Sequence, residues 1–214
     1  MRFPVSTRPL VLALLILFGI SAQRAQADEI VVAGGCFWCV EADFEKVKGV
    51  TGAVSGYTGG KTANPTYKQV SRGGTGHYEA VRISFNPSQT NPRELYDLFF
   101  RSVDPTDAGG QFCDRGDSYR TAIFVSNPAQ KKAAEEAKAA AQAALGRKIV
   151  TPVLDAKRFY KAEDYHQGYY KGDKLVITRF GPVKQSTAYK KYRGACGRDQ
   201  RVKQLWGSAA PFVN

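Results

Sequence analysis

The sequence Gly34-Gly35-Cys36-Phe37-Trp38 is the first place where residue types and spacing point to chemistry. Apolar residues before it predict a strand and periodic apolar residues after it predict a helix, so Cys36 would lie at the start of that helix. Free backbone N–H groups and the helix dipole favour a thiolate there, and the thiolate is the nucleophilic form of cysteine. A buried core cysteine or half of a stable disulfide is the alternative interpretation.

Glu79 is the second candidate, because it shares a strand face with apolar side chains. The alternating segment 78–85 predicts a strand that places Glu79 on the same side as Val81 and Ile83. Removal from water penalises the ionised carboxylate and raises its pKa, so Glu79 would keep a proton to donate near neutral pH. The alternatives are a glutamate that reaches solvent and a buried ion pair with an arginine.

Three further candidates lie on or beside loops, where binding residues are common. Asp114 and Tyr119 occupy the end of a long Gly- and Asp-rich loop that leads into a strand, and Tyr67 follows Asn64-Pro65. These side chains can supply hydrogen bonds to a substrate. Ordinary turn and strand-start roles are the alternative.

The elements that must position these residues alternate between strands and helices, which predicts one α/β or α+β unit. The stretch 50–76 is rich in Gly, Thr and Asn and is predicted to be mostly loop. The pattern does not separate parallel from antiparallel strands. The predicted strands cover 29–33, 78–85, 119–125 and 148–154, and the predicted helices cover 37–49, 91–104 and 127–146.

Length and composition restrict the class of protein. A chain of 214 residues with 43% hydrophobic content forms one or at most two globular domains, which excludes disorder, collagen and a long coiled coil. The net charge of +12 is concentrated after residue 170, where ten Lys or Arg accompany two Asp or Glu. These charges are scattered among Gly, Thr and Tyr, so we expect a solvated segment and no nucleic-acid partner.

The N-terminus has the pattern of a secretory signal peptide. Arg2 and Arg8 precede the apolar run Val11–Ile20, and Ala25-Gln26-Ala27 supplies small residues at a cleavage site. The apolar run is shorter than the ~20 residues that a membrane-spanning helix needs. We therefore expect cleavage after Ala27, export to the periplasm or the medium, and no stable membrane insertion of residues 28–214. An uncleaved anchor is the alternative.

Four cysteines, Cys36, Cys39, Cys113 and Cys196, accompany this predicted export. Structural disulfides are the usual interpretation in an oxidising compartment, but a domain of this size does not need them, so redox chemistry competes. One alternative function is a thioredoxin-like disulfide exchanger that uses Cys36-x-x-Cys39 and has no need of Glu79. A zinc-stabilised module with His77 and His166 is disfavoured because there is no second C-x-x-C pair, and no metal is expected.

Five short motifs occur in one order over residues 29–170, and together they resemble the A-type peptide-methionine sulfoxide reductases. Each motif alone is weak, but the series is specific. The resemblance implies a ferredoxin-like α+β sandwich: a single domain with its core at 29–170 and a long irregular tail at 171–214. The motifs are Gly35-Cys36-Phe37-Trp38, Asn64-Pro65-Thr66-Tyr67, Gly76-His77-Tyr78-Glu79-Ala80-Val81, Asp114-x-Gly-x-x-Tyr119-Arg120 and Tyr165-His166-Gln167.

The same resemblance implies a role for each candidate. Cys36 would attack the sulfur of methionine S-sulfoxide, protein-bound or free, and become a sulfenic acid while Glu79 protonates the oxygen. Methionine would be released without any bound cofactor, by a protein that acts as a monomer. The implied substrate-binding residues are Tyr67, Asp114 and Tyr119 for the oxygen and Phe37 and Trp38 for the S-methyl group.

The resemblance also implies that a later cysteine condenses with the sulfenic acid and that a thioredoxin-like protein reduces the resulting disulfide. Cys196, in the Gly-flanked basic tail, is the favoured resolving residue. Cys39 follows Trp38 where many family members have a small residue, and Cys113 precedes Asp114 where asparagine is common. Either could resolve the sulfenic acid instead, or the two could form a separate bridge.

Overall fold

The computed structural model of the chain describes Met1, residues 28–179 and residues 181–213. The predicted signal peptide therefore lies outside the described residues except for Met1. Within the described ranges, no helix combines the length and apolar character needed to cross a bilayer. The elements are β1 (Asp28–Gly34), α1 (Phe37–Phe44), β2 (Val50–Thr58), α2 (Tyr67–Ser71), β3 (Tyr78–Phe85), α3 (Pro92–Phe100), β4 (Gly110–Gln111), β5 (Asp114–Arg115), β6 (Thr121–Val125), α4 (Pro128–Leu145), β7 (Val153–Asp155), β8 (Tyr160–Lys161), β9 (Leu175–Thr178), β10 (Gly181–Lys184), α5 (Gln185–Ala195) and α6 (Arg198–Trp206).

Six strands form one mixed sheet in the order β7-β6-β1-β3-β2-β8. The four central strands pair antiparallel with one another, and the edge strand β7 is parallel to β6. Helix α1 connects β1 to β2 and α3 lies between β3 and β6 in the chain, which gives the split βαβ arrangement of ferredoxin-like folds. The predicted α+β class is confirmed, and the strand directions left open by the sequence are now assigned.

The main core lies between the sheet and its helices. Ile30 and Val32 of β1 pair in register with Ile83 and Val81 of β3, and all four side chains are buried. Leu95, on α3, belongs to the same cluster. This is the face on which the sequence placed Glu79, so that carboxyl is carried into the interior by the same alternation that buries its apolar neighbours.

Two predicted helices begin where the sequence placed them. The side chains of Asn91 and Asn127 accept hydrogen bonds from backbone N–H groups of the first turn, and Gly146 ends α4 in the left-handed conformation at φ 60°. Helix α1 ends at Phe44, earlier than predicted, because the chain continues in turns that close three residues back, such as Val47 N–H to the Phe44 carbonyl at 3.0 Å.

The expectation that residues 50–76 are mostly loop is wrong. Strand β2 pairs with β3 along its length, and Tyr57 lies opposite Glu79. Gly56, one of the glycines that suggested a loop, serves packing instead, because a Cβ there would lie 2.4 Å from the ring of Phe159. Glycine in this strand marks the close approach of another segment.

The tail at 171–214 is not irregular, which corrects a second expectation. Strands β9 and β10 pair antiparallel with each other, and two helices follow them, α5 and α6. Val202 and Trp206 of α6 join the main core, and Arg198 is 2% exposed. Scattered charges hid these elements in the sequence, because tertiary packing and not local periodicity orders them.

Candidate active site

Cys36 lines a small cavity beside the end of the central strand β1 and the start of the central strand β3. Strand β1 ends at Gly34, Gly35 turns the chain at φ +79°, and Cys36 is the N-cap of α1. The cavity has a volume of about 70 Å³. Its lining residues are Cys36, Phe37, Trp38, Tyr67, Glu79, Asp114, Tyr119 and Tyr192. Seven of these eight are the first cysteine, the glutamate and the five substrate-binding residues named from the sequence.

Glu79 lies inside this cavity with only 2% of its surface exposed. The backbone N–H of Phe37 donates to Glu79 Oε2 at 3.1 Å, and the Tyr119 hydroxyl is also a hydrogen-bond partner of the carboxyl. Burial raises the pKa of Glu79 from 4.5 to about 8, although these hydrogen bonds oppose the shift. The carboxyl therefore holds its proton at neutral pH, as its position on the apolar face predicted.

The Cys36 thiol behaves differently from its sequence-based prediction. Burial raises the pKa of Cys36, and the hydrogen bond with Cys39 and the negative charge of Asp114 raise it further. The favourable end of α1, a helix of eight residues, does not outweigh this burial. The expected thiolate of the resting protein is thus wrong, and Cys36 and Glu79 both carry hydrogen before substrate binds.

Three tyrosine hydroxyls complete the polar side of the cavity. Burial raises the pKa of Tyr67, Tyr119 and Tyr192, so each remains a neutral hydroxyl. Tyr192 donates a hydrogen bond to Asp114 Oδ2. Neutral donors packed around a protonated carboxyl form a site suited to an oxygen atom that gains negative charge.

The other side of the cavity is aromatic. Phe37 is buried, and Trp38 is half-buried and stacks on Tyr169 with ring centroids 3.8 Å apart and an interplanar angle of 4°. Trp38 Nε1–H donates to His166 Nδ1 at 3.1 Å, and burial lowers the pKa of His166 to about 4, so this ring is neutral. Trp38 is therefore fixed on two sides and presents an apolar surface to the cavity.

Sequence reasoning did not assign three residues that shape this site. His166 was part of a quoted motif and was otherwise considered only as a ligand of the disfavoured zinc module, and Tyr169 and Tyr192 were given no role in the site. Tyr192 is on α5, in the segment expected to be an irregular tail. Only the tertiary arrangement shows that the tail supplies a wall of the cavity.

The four cysteines form two pairs. Cys113 and Cys196 are joined in a disulfide with Cα atoms 5.0 Å apart, whereas Cys36 and Cys39 are free and buried. Cys113 is exposed, and the sulfurs of this pair lie within 4.8 Å of a carboxylate oxygen of Asp114, which lines the cavity. Cys196 thus lies beside the cavity but is bonded to Cys113, and the separate bridge between Cys39 and Cys113 is not formed.

The arrangement that a zinc-stabilised module requires is not assembled. The disulfide engages Cys113 and Cys196, and His77 uses its ring nitrogens within its own loop region, with Nε2 2.7 Å from the Thr62 carbonyl and Nδ1 accepting from Gly60 N–H at 3.2 Å. His166 accepts from Trp38. Both histidines and two of the four cysteines named for that hypothesis therefore have other partners, and only Cys36 and Cys39 are free.

The family model described as peptide methionine sulfoxide reductase matches residues 28–208. The chain belongs to this family. The peptide methionine sulfoxide reductase MsrA 2 of Rhizobium meliloti is 47% identical over 191 residues, which cover 89% of each chain. The five motifs thus led to the correct family.

Solved structures agree with this membership. The crystal structure of Mxr1 from Saccharomyces cerevisiae in reduced form has a TM-score of 0.67 and 32% identity, and the match covers 75% of this chain and 94% of that chain. A second structure, Mxr1 in complex with Trx2, has a TM-score of 0.50 and 28% identity and covers 71% of this chain and 91% of that chain. This reductase therefore has the family fold as well as the family motifs.

Proposed function

We propose that this chain reduces methionine S-sulfoxide, free or within proteins, to methionine by thiol chemistry at Cys36. The observation that carries the proposal is the neutral Glu79 carboxyl buried in the same small cavity as the Cys36 sulfur. A sulfoxide oxygen is a poor leaving group until it is protonated, and a carboxyl that keeps its proton at pH 7 can supply that proton. Family membership and the fold support the same conclusion.

In the proposed reaction, Cys36 attacks the sulfoxide sulfur while Glu79 transfers its proton to the oxygen. The sulfur–oxygen bond of the substrate breaks, methionine leaves, and the oxygen remains on Cys36 as a sulfenic acid. Tyr67 and Tyr119 donate hydrogen bonds to the oxygen as its charge grows. The substrate methyl group packs against Phe37 and the ring of Trp38, whose surface the Tyr169 stack holds in place.

Recycling then transfers the oxidised state from the buried Cys36 to the pair Cys113 and Cys196. Cys196 attacks the Cys36 sulfenic acid, water leaves, and a Cys36–Cys196 disulfide forms. Cys113 next displaces Cys36 from Cys196, which restores the Cys36 thiol and leaves the Cys113–Cys196 disulfide. The bond between Cys113 and Cys196 and the exposure of Cys113 support this order. A thioredoxin-like protein reduces that disulfide; the complex of Mxr1 with Trx2 supports such a reductant.

The alternative function, disulfide exchange by Cys36-x-x-Cys39, fits this geometry less well. Cys36 is 7% exposed and Cys39 is 2% exposed. An exchanger must bring its sulfur against a disulfide of another protein, which needs an accessible thiolate. The end of a methionine side chain can enter a cavity of about 70 Å³ more readily than the surface of another protein can.

The chain is also proposed to be exported, with cleavage after Ala27, and to act as a monomer without a bound cofactor. The apolar run Val11–Ile20 and the small residues before Asp28 support export. Mass spectrometry of the protein recovered from the extracytoplasmic fraction would give a chain that begins at Asp28. Recovery of the intact chain in the cytoplasm would overturn this part of the proposal.

Methionine release from the two sulfoxide epimers tests the proposed activity. The wild-type chain with a dithiol reductant is expected to consume the S epimer only, and the rate is expected to fall as pH rises above about 8, where Glu79 ionises. Glu79→Gln keeps the shape but has no acidic proton, so its rate should fall by about 10²- to 10⁴-fold, the usual contribution of a general acid. Disulfide exchange measured in parallel is the control, because an exchanger would keep its activity in Glu79→Gln.

A further inference from the structure

The aromatic wall of the cavity depends on a short segment, residues 166–169, that follows strand β8. His166 accepts the indole N–H of Trp38 at 3.1 Å, and Tyr169 stacks on the same indole with ring centroids 3.8 Å apart. Both residues belong to short 3₁₀ turns and not to a strand or an α-helix. Turns of this length have little stability of their own, so contacts with the rest of the fold must hold them in place.

Gln167 provides the first of two anchors for this segment. Its side-chain amide donates to the carbonyls of Ser55 and Ala162, both at 3.0 Å, and its side-chain oxygen accepts from the Ser55 N–H at 3.1 Å. Ser55 is a buried residue of strand β2. Gln167, a motif residue that the proposed reaction does not use, therefore ties the segment to the sheet.

Glu41 provides the second anchor. It lies on α1, three residues after Trp38 and on the same face of the helix, and only 1% of its surface is exposed. Its Oε1 accepts the backbone N–H of Gly168 at 2.5 Å, and its Oε2 accepts the hydroxyl of Ser55. Burial of a carboxyl group costs free energy unless hydrogen bonds compensate for the lost water, and here both oxygens are paired.

The two anchors lie between the two residues that contact the indole ring. His166 and Tyr169 are at the ends of the segment, and the anchored residues, Gly168 among them, separate them in the chain. One helix, α1, thus carries both Trp38 and the carboxyl that fixes its partners. Without the Glu41 carboxyl, the Gly168 N–H would lose its acceptor and the neighbouring Tyr169 ring could move away from the indole.

We infer that Glu41 is a positioning residue for recognition of the S-methyl group of the substrate: through residues 166–169 it fixes the Trp38 ring at the cavity wall. Glu41 does not line the cavity itself, so it acts only through this segment. A wall held in one position fits one size of alkyl group, so Glu41 sets the preference for S-methyl over larger S-alkyl sulfoxides. The inference rests on the proposed function and adds the residue that controls its substrate size.

Release of the thioether product in the first turnover, measured at increasing substrate concentration, tests the inference. Wild-type protein should favour methionine S-sulfoxide over ethionine S-sulfoxide, which has an S-ethyl group, by about tenfold or more, as one methylene in a fitted apolar pocket allows. Glu41→Leu fills the space but accepts no hydrogen bond, so this preference should fall to about threefold or less. The concentration of methionine sulfoxide at half-maximal rate should rise while the maximal rate stays near the wild-type value, because the wall contacts the methyl group before and during the reaction.

Three further variants separate positioning from a general loss of stability. Glu41→Gln keeps an acceptor for the Gly168 N–H and can donate to the Ser55 hydroxyl oxygen, so it should retain the wild-type preference. Ser55→Ala removes one of the two hydrogen bonds of the carboxyl, so its preference should fall less than that of Glu41→Leu. Thr151→Val removes a buried hydroxyl pair with Thr121 at 2.8 Å, beside β7 at the opposite edge of the sheet from β8; it should lower the melting temperature and keep the preference.

A second measurement needs no substrate. The chain has two tryptophans, so Trp206→Phe leaves Trp38 as the only one, and the Trp206 indole N–H has no hydrogen-bond partner within the described ranges that this change would remove. In this background, Glu41→Leu should shift the fluorescence of Trp38 to longer wavelength as the ring becomes exposed to water. Thr151→Val should leave the emission wavelength unchanged.

The outcomes distinguish the inference from the proposed function. Wild-type release combined with an unchanged preference and an unchanged emission spectrum in folded Glu41→Leu would overturn the inference alone. Where melting curves show that Glu41→Leu is unfolded, the same two results in Ser55→Ala would overturn it. Absence of release from the wild-type chain would overturn the proposed function and the inference together.

Discussion

The two cysteine pairs of this reductase occupy contrasting environments. Cys36 and Cys39 are buried at the start of α1, hydrogen-bonded to each other and free. Cys113 and Cys196 join an exposed loop to the end of α5 and are disulfide-bonded. Asp114 lies near both pairs, because it lines the cavity with Cys36 and its carboxylate is within 4.8 Å of the sulfurs of Cys113 and Cys196.

This contrast separates two chemical requirements. Sulfoxide reduction needs a carboxylic acid that stays protonated, and burial next to Cys36 supplies it. Reduction by another protein needs a disulfide on the surface, because a protein–protein contact buries several hundred Å² on each partner. One location cannot meet both needs, so a second pair of cysteines that carries oxidation outward gives each step a suitable environment.

Loss of the buried nucleophile should have the largest effect. Cys36→Ser replaces the sulfur with a hydroxyl that stays protonated at neutral pH, so methionine release is expected to vanish even in a single turnover. Measurable release by this variant would show that another cysteine starts the reaction. Cys36→Ser should still form the Cys113–Cys196 disulfide, which mass mapping of its peptides would verify.

Loss of the surface pair should affect recycling but not the first turnover. Cys196→Ser is expected to release one equivalent of methionine and then stop with a thioredoxin-like donor. Cys113→Ser should release the same equivalent and accumulate a Cys36–Cys196 disulfide. Full steady-state turnover by Cys196→Ser would transfer the resolving role to Cys39 or Cys113, and a Cys36–Cys39 disulfide in wild-type protein after one addition of substrate would assign it to Cys39.

The smallest expected effect is on the free energy of unfolding, and it comes from the buried Glu79 beside Cys36 and not from the Cys113–Cys196 pair. Folding raises the pKa of Glu79 from 4.5 to about 8, so its contribution is complete below pH ~4.5 and is lost as pH rises towards 8. Between pH 6 and pH 7 the free energy of unfolding should fall by about 1.4 kcal/mol from this group, and Glu79→Gln should lack that part of the slope. Denaturant unfolding at the two pH values, with Glu29→Gln as an exposed control, measures the difference; equal slopes in all three proteins would contradict it.

Local patterns in the sequence determined a large part of this protein. The alternation in 78–85 placed Glu79 inside, and Asn-Pro pairs marked the starts of α3 and α4, because strand faces and helix caps depend on residues only a few positions apart. The motif order led to the family and to seven of the eight cavity residues. In each case the information lay within short segments.

Features that depend on contacts between distant segments were decided by the tertiary structure alone. β2 escaped detection because the close approach of Phe159 requires glycine at position 56, and α5 and α6 escaped it because tertiary packing orders them. The pairing of Cys113 with Cys196, the wall formed by Tyr192 and the resting state of the Cys36 thiol were likewise settled only in the folded chain. The pKa of a buried group depends on burial and charges contributed by segments far apart in sequence. At Cys36 these contributions raise the pKa, and the N-terminus of the short helix α1 does not offset them.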